Sequence, residues 1–296
     1  ELCQVMTMLD VARHVDVGWD VIKDIQKSSL KRKYSKPRLK VVRLIAIDEI
    51  SIGKHHRYVT IVLDLERGAV LFVGDGKGSD ALIPFWKRLR SSGAQVKAVA
   101  IDMSPAYIEA ISQNLKGARI VFDHFHIIKL YNEKLSGLRR DIQREATEQL
   151  HKKALKGTQW IILKNPENLN DSRNERERLE AALKLNQPLA TAYYMKEDLR
   201  ELWNKATKKE ATHFLNDWIK RAASSGIVML KKFSKTLSLH KSGILAYFNF
   251  PISTGPLEGT NNKIRTLQKI AYGFRDIEFF KLKILALHHM RYAFVG

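Results

Sequence analysis

Residues 41–50, VVRLIAIDEI, form a nearly continuous apolar run that ends in acidic residues. Such a run predicts a central strand buried on both faces, because a half-buried strand would alternate apolar and polar residues. Two further runs follow after short connections, HRYVTIVLDL at 56–65 and AVLFVG at 69–74, and both have the composition of strands. Three neighbouring runs with short connections predict an antiparallel meander.

Helices and strands alternate in the next part of the chain. Residues 79–91 predict a capped helix, and residues 96–101, VKAVAI, predict another buried strand. A second helix begins at Pro105, and ARIVF at 118–122 predicts a fifth strand with a helix after it. Three strands, helix, strand, helix, strand, helix is the order of a ribonuclease-H-like α/β core, in which right-handed crossovers add parallel strands to an antiparallel set.

The N-terminal part has a different pattern. Residues 5–30 predict two helices separated by a break at 16–18, which fits either a helix-turn-helix or a plain helical hairpin. We assign 1–30 to this helix-turn-helix-like segment. Residues 27–40 hold seven basic residues and no acid, and Pro37 argues against a continuous helix there. We expect 31–40 to be a basic linker that is either solvated or in contact with phosphates.

Strand patterns disappear between 130 and 250, where segments rich in Lys, Glu, Leu and Ala predict helices. We therefore expect 41–129 to be the first part of the core, 130–250 an all-helical insertion, and 251–296 the last part of the core. The insertion contains large aromatic residues that we expect to build its own core, namely Trp160, Tyr193, Tyr194, Trp203, Phe214 and Trp218.

The charge balance favours a polyanionic partner. The chain has 51 Lys and Arg residues against 31 Asp and Glu residues, a net charge of +20. DNA, RNA or an anionic membrane could supply the opposite charge. Nucleic acid is favoured, because no apolar run reaches the roughly 18 residues that span a bilayer and no signal peptide begins the chain. The single cysteine, Cys3, excludes a disulfide within the chain and fits a reducing interior.

Three acids occupy distinctive positions. Asp48 ends the first predicted strand, Asp102 directly follows the fourth, and Glu258 begins the helix after the insertion. Carboxylates at the ends of neighbouring strands can converge. They repel one another unless divalent cations bind between them, and such binding is then favourable. Two Mg²⁺ ions about 3.5–4 Å apart can activate a water or a 3′-hydroxyl and stabilise the leaving oxygen of a phosphodiester.

Each acid also has a structural alternative, because an Asp after a strand is often a cap or a turn residue. Glu49, Asp64, Asp75 and Asp123 compete for a metal role. We expect Glu49 to point to the opposite face of the sheet, and Asp64 to be structural. Asp123 and His126 share a helix face, which fits a metal-binding pair or a capping Asp with a hydrogen-bonded His equally well.

The helix that begins near Glu258 has two predicted faces. Leu257, Ile264 and Leu267 belong to an apolar face. On another face, Glu258 is surrounded by asparagine and basic side chains. An acid beside such residues suits a helix that presents a metal ligand to a DNA backbone. Together with the basic linker, the expected DNA-contacting residues are Lys31, Arg32, Lys33, Lys36, Arg38, Asn261, Asn262, Lys263, Arg265 and Lys269.

Four segments carry a resemblance to a known family: AIDEISIGKHHRYVTIVLDL, VAIDMSPAY, FDHFHIIK and GPLEGTNNKIRTLQKIAYGFRD. From about Met6 to the end, the chain resembles transposases of the ISL-three insertion-sequence family, a group of the DDE superfamily. The resemblance implies a ribonuclease-H-like core with Asp48, Asp102 and Glu258 as the acidic triad, and a helical insertion between the second and third acids. It gives the pair Asp123 and His126 an accessory role.

The resemblance also implies the activity. We expect cleavage and transfer of DNA strands at insertion-sequence ends, with two Mg²⁺ ions per active site and Mn²⁺ as a substitute. The partners would be double-stranded DNA, as transposon ends and target, and a second copy of the chain or a larger homo-oligomer. The expected location is the bacterial cytoplasm, in association with the nucleoid. The alternatives are a structure-specific nuclease of the same fold and a domesticated transposase that acts only as a DNA-binding regulator.

Overall fold

The structure is a computed structural model that describes residues 2–53 and 57–289. The chain forms two compact units. The first unit combines Glu1–Val121 with Ile252–Gly296, and the second unit is Phe122–Pro251. The predicted start of the insertion at 130 lies inside one continuous helix that begins at His124.

The described residues form five strands and twelve α-helices with several short 3-10 turns. The strands are β1 Leu44–Gly53, β2 Arg57–Asp64, β3 Ala69–Asp75, β4 Ala98–Ile101 and β5 Arg119–Phe122. The helices are α1 Met8–His14, α2 Trp19–Tyr34, α3 Ile83–Ser92, α4 Pro105–Asn114, α5 His124–Glu145, α6 Gln149–Gly157, α7 Glu175–Leu185, α8 Gln187–Arg200, α9 Lys208–Ser224, α10 Val228–Leu245, α11 Gly255–Ile270 and α12 Ile277–Leu285.

The strands form one mixed sheet in the order β3-β2-β1-β4-β5. β2 pairs antiparallel with β1 and β3, whereas β4 pairs parallel with β1. The run VVRLIAIDEI supplies the central strand, as predicted. This mixed sheet confirms the predicted ribonuclease-H-like core.

Helices cover both faces of β1. Ala46 and Ile50 belong to a buried cluster with residues of α11 and α12, among them Leu257 and Phe280. Ile45 and Ile47 point to the opposite face of the sheet and are also buried. Glu49, the next residue on that face, contacts Tyr107 of α4. Because both faces are covered, the strand needs apolar residues at successive positions.

The N-terminal segment consists of α1 and α2, joined by a turn in which Asp16 has a φ of 52°. Val11, Ala12 and Ile22 form a small core of their own. α2 continues to Tyr34, so the prediction that residues 31–34 belong to a linker is wrong. Basic residues in the last turn favour a helix C-terminus, and the helix still ends before Pro37.

One face of α2 is joined to α12 by ion pairs. Lys23 and Lys27 lie 3.3 and 3.0 Å from Asp276, and Lys27 and Lys31 lie 2.8 and 3.2 Å from Glu278. The three lysines are four residues apart and therefore share a helix face. The carboxylate of Asp276 also accepts the backbone N–H of Phe279, and this bond together with the lysines lowers its pKa from 3.8 to about 2.

We expect Asp276→Asn to make the protein less stable at neutral pH by about 1 kcal/mol, because asparagine can still cap α12 but carries no charge. The folded carboxylate has the lower pKa, so its contribution is complete above about pH 4 and is lost as the pH falls towards 2. The stability difference between wild type and variant, measured by urea unfolding, should therefore shrink by about half between pH 7 and pH 3. Asp20→Asn, at an exposed acid of α2, is the control. A difference that stays constant with pH would contradict the assignment.

The second unit contains α5 to α10, and no strand occurs in its described residues 123–251. Trp218 is fully buried at its centre, where its indole N–H donates to the carbonyl oxygen of Met195 at 2.9 Å. The rings of Tyr131 and Phe233 meet Trp218 edge-on. The prediction that Trp218 is a core residue is confirmed.

Two other aromatic residues that we expected in this core lie at the surface. Trp160 is 71% exposed and Tyr194 is 61% exposed. For these two residues the prediction is wrong. The residue type indicated burial, but neither position is covered by another element of its own unit.

Candidate active site

Asp48 and Asp102 lie level with each other at neighbouring strands. The parallel register pairs Leu44 with Ala98, Ile45 with Val99 and Ala46 with Ala100. The same offset, continued along the chain, places Asp102 opposite Asp48, directly after the end of β4. Asp48 follows Ala46 by two residues in the same strand and therefore lies on its side of the sheet. If the register continues past the end of β4, Asp102 lies on that side as well. Both side chains are half-buried.

Helix α11 lies on the same side of the sheet. The amide of Asn261 donates to Oδ2 of Asp48 at 3.0 Å, and the amide of Gln268 donates to the carbonyl oxygen of Ile52 at 2.9 Å. These two contacts align α11 along β1 with the same chain direction. Glu258 precedes Asn261 by three residues, and it therefore lies on the same side of the helix, where its side chain is exposed.

The start of α11 is determined by local sequence. Pro256 occupies the first turn, where its missing N–H costs nothing, and Glu258 in that turn suits the positive end of the helix dipole. Leu257 and Ile264 are fully buried against the sheet. This anchoring holds the exposed acid on a helix that cannot easily rotate.

The carboxylate of Asp102 has a second role. Its Oδ1 accepts the backbone N–H of Ser104 at 2.9 Å, in the turn that leads from β4 into α4. Asp102 therefore has the role of a turn residue that an Asp after a strand often has. It is compatible with a metal role, because the bond fixes the side chain while a carboxylate has several acceptor positions.

The competing acids of the first unit have structural contacts. Glu49 accepts the hydroxyl of Tyr107 at 2.7 Å on the opposite face of the sheet, as predicted. Burial, and to a lesser extent the bond to Glu49, raises the pKa of Tyr107. Asp64 accepts backbone N–H groups of the turn after β2, and Asp75 lies 2.6 Å from the ammonium group of Lys281.

Asn261 does not lie where we expected it. We placed it among the DNA-contacting residues, but its side chain is only 4% exposed and it contacts Asp48 instead. Asn261 follows Leu257 by four residues and precedes Ile264 by three, so the helical period could have placed it on the apolar face. Its Oδ1 is buried, and among the described residues it has no hydrogen-bond partner.

In the part of the chain that the structure describes, no three Asp, Glu, His or Cys side chains form a ready-made metal site. Carboxylates without a cation repel one another, which disfavours such a cluster. The available donors nevertheless fit a hard divalent cation, because Asp48, Asp102 and Glu258 offer carboxylate oxygens. The unpartnered Oδ1 of Asn261 beside Asp48 adds an acceptor of the kind that holds a metal-bound water.

Asp123 and His126 belong to the second unit. Asp123 is buried and caps α5, where its Oδ1 accepts the N–H of Phe125 at 2.9 Å and lies 3.4 Å from the ring nitrogen of His124. The ring of His126 meets that of Phe125 edge-on. Of the two alternatives for Asp123, the structure contains the helix cap. The histidine beside this carboxylate is His124 rather than His126.

The remaining residues expected to contact DNA lie at the surface of the first unit. Asn262, Arg265 and Lys269 are exposed on α11, and Lys263 is half-buried. Arg32, Lys33, Lys36 and Arg38 are exposed at the end of α2 and just after it, whereas Lys31 is exposed but paired with Glu278. Among the described helices, none is both long enough and apolar enough to cross a membrane.

The chain is similar in sequence to known transposases. The model of a transposase family, DDE_Tnp_ISL3, matches residues 45–284. The transposase for insertion sequence element IS1001 of Bordetella parapertussis is 35% identical over 97% of this chain and 71% of its own length. The transposase for element IS1557 of Mycobacterium tuberculosis is 29% identical over 79% of this chain and 57% of its own length.

A solved structure is also similar. The Drosophila P element transposase strand transfer complex aligns with a TM-score of 0.43 and 13% identity, over 84% of this chain and 78% of that chain. The family match covers most of the chain, and the relative from Bordetella parapertussis is similar along nearly all of it. The chain therefore belongs to the ISL-three family of insertion-sequence transposases.

Proposed function

We propose that the chain cleaves DNA at the ends of an insertion sequence and joins the resulting 3′-hydroxyl to target DNA by a DDE mechanism. The observation that supports the proposal is the parallel register of β1 and β4, whose last pair, Ala46 with Ala100, lies two residues before Asp48 and Asp102. Asp48 also contacts Asn261 of α11. The third acid is Glu258 on that helix. Two Mg²⁺ ions, for which Mn²⁺ can substitute, would be held by these three residues.

The bound ions would supply the activation of a water or a 3′-hydroxyl and the stabilisation of the leaving oxygen. The protein's own contribution is to position the ligands. Asn261 orients the carboxylate of Asp48, and the backbone N–H of Ser104 orients that of Asp102. Water or a DNA hydroxyl is the nucleophile, so no serine or tyrosine is needed to form a covalent intermediate.

Double-stranded DNA is the proposed partner, both as transposon ends and as target. The net charge of +20 supports this choice. The exposed basic residues Arg265 and Lys269 lie on the helix that carries Glu258, where they could contact phosphates beside the scissile bond. We also propose that the active form is a homodimer or a larger homo-oligomer, since two transposon ends have to be joined.

The test is a cleavage assay on labelled candidate ends in Mg²⁺, in Mn²⁺ and in EDTA, with a supercoiled plasmid as target. Metal-dependent nicking at the ends and a labelled strand joined to the plasmid would support the proposal. Nicking without joining would instead identify a nuclease. Tight binding to the ends without any cleavage would identify a DNA-binding regulator.

The basic end of α2 gives a separate prediction. Arg32→Ala and Lys33→Ala should each weaken binding to all DNA sequences and reduce the slope of log K against log salt by about one. Lys31→Ala should have a smaller effect, because this lysine already pairs with Glu278. Lys116→Ala, at an exposed lysine after α4, is the control. Unchanged slopes for Arg32→Ala and Lys33→Ala would show that this segment does not contact phosphates.

A further inference from the structure

A groove of about 530 Å³ runs along α5 in the second unit. The residues that give it chemical character are Phe125, Lys129, Asn132, Arg139, Arg140 and Trp160, and we call it the aromatic groove. None of them belongs to the acidic site of the first unit. The groove is therefore a separate feature that the proposed cleavage chemistry does not use.

Two large aromatic side chains of the groove are unusually accessible. Trp160 is 71% exposed and Phe125 is 51% exposed. A tryptophan in a folded domain is normally largely buried, because its ring contributes strongly to the hydrophobic effect. Flat rings that line an open groove can instead stack on a planar ligand.

A buried positive charge lies at the same groove. Arg139 is 3% exposed, and its Nη1 donates only to neutral acceptors, Oε1 of Gln143 at 2.8 Å and the carbonyl oxygen of Leu155 at 3.0 Å. Its Nε has no hydrogen-bond partner among the described residues. A buried guanidinium without a counter-charge is costly, so an anion bound nearby would stabilise it.

The surroundings add to this positive potential. Lys129 and Arg140 are exposed on the rim, and Glu133 is the one acid among the residues that line the groove. Arg140 also lines a second groove farther along α5, together with Lys152 and with Arg144, which pairs with Asp141 of the same groove. Basic residues thus continue beyond the aromatic groove in the direction that a bound chain could follow.

We propose that the aromatic groove binds a short segment of single-stranded DNA, with bases stacked on Trp160 and Phe125 and with phosphates beside Arg139 and Arg140. This inference rests on the proposed function, because cleavage and joining leave unpaired nucleotides near the ends. A duplex is a poorer fit, since its bases are already stacked on one another. An acidic peptide would neutralise the charge but would leave the two flat rings without a matching surface.

The test uses the full chain in EDTA, with a fluorescent ten-residue oligothymidylate and a duplex of equal length as probes. Trp160→Ala should weaken binding of the single strand about tenfold and leave binding of the duplex unchanged. Trp160→Phe should retain most of the affinity, since it keeps a stacking ring. Tyr194→Ala removes another exposed aromatic residue of the same unit and should have no effect. Arg140→Gln should reduce the salt slope of single-strand binding by about 0.7.

Wild-type affinity of Trp160→Ala for the single strand would overturn the proposal, and so would equal losses for single strand and duplex. Displacement of the oligothymidylate by polyglutamate, unchanged by Trp160→Ala, would identify an acidic peptide site instead. Cleavage is measured separately in Mg²⁺. If the wild type fails to cleave but the contrast between single strand and duplex holds, the proposed function fails and the groove remains a nucleotide site.

Discussion

Asp48→Asn, Asp102→Asn and Glu258→Gln should each reduce DNA cleavage by at least about 10³-fold, which corresponds to about 4 kcal/mol in the activation barrier. Each change removes the negative charge of a proposed ligand and preserves the size of the side chain. The affinity for DNA should stay largely unchanged, because a neutral amide does not repel phosphates. Turnover is measured with labelled ends in Mg²⁺, and binding is measured in EDTA.

Glu49→Gln provides a matched control for these variants. This acid adjoins Asp48 in the same strand, but its carboxylate accepts the hydroxyl of Tyr107 on the other face of the sheet. Glutamine can still accept that hydrogen bond, and cleavage should remain close to that of the wild type. Asn261→Ala should reduce cleavage by an intermediate amount, about 10–100-fold, because Asn261 orients Asp48 without itself binding the metal. Near-normal turnover of any one of the three triad variants would remove that residue from the site.

Trp218→Ala should destabilise the second unit by about 3–5 kcal/mol. The substitution leaves a large cavity between Tyr131 and Phe233 and removes the donor to the carbonyl oxygen of Met195. Trp218→Phe should cost less, since it fills part of the space and loses mainly the hydrogen bond. The free energy of unfolding is measured in urea, with probes from both units, because two compact units need not unfold in a single step.

Trp160→Ala is the natural comparison for this experiment. The same residue type is removed from the same unit, but Trp160 is 71% exposed where Trp218 is fully buried. Its loss should change the free energy of unfolding by less than about 0.5 kcal/mol. Equal destabilisation by Trp160→Ala and Trp218→Ala would show that the exposure of a tryptophan does not determine its contribution to stability here.

The sheet could be predicted from the sequence because its signals are local. Apolar runs at 41–50 and 96–101 identify strands that are buried on both faces. Asp102 follows the second run directly, but Asp48 does not end its strand as predicted, because β1 continues to Gly53. The convergence of the two acids depended on the condition that these strands are neighbours in one sheet. The parallel pairing of β1 with β4 meets that condition.

The features that sequence reasoning missed depend on distant contacts. Trp160 is exposed because no element of its unit covers it, which its residue type could not indicate. The ion pairs between α2 and α12 join Lys27 to Asp276 across 249 positions of the chain. Asn261 lies at the border of two helix faces, and only the packing of α11 on β1 shows which of them it joins.

The contact between Asp48 and Asn261 spans 213 positions, and this separation has a consequence for synthesis of the chain. At about 5–20 residues per second, a ribosome needs roughly 10–40 s to pass from one residue to the other. During that time Ala46, Ile50 and Ile61 lack the apolar residues of α11 and α12 that cover them in the folded protein. The nascent sheet is therefore prone to aggregate, and a transcript truncated before residue 255 should yield insoluble protein or depend on a chaperone.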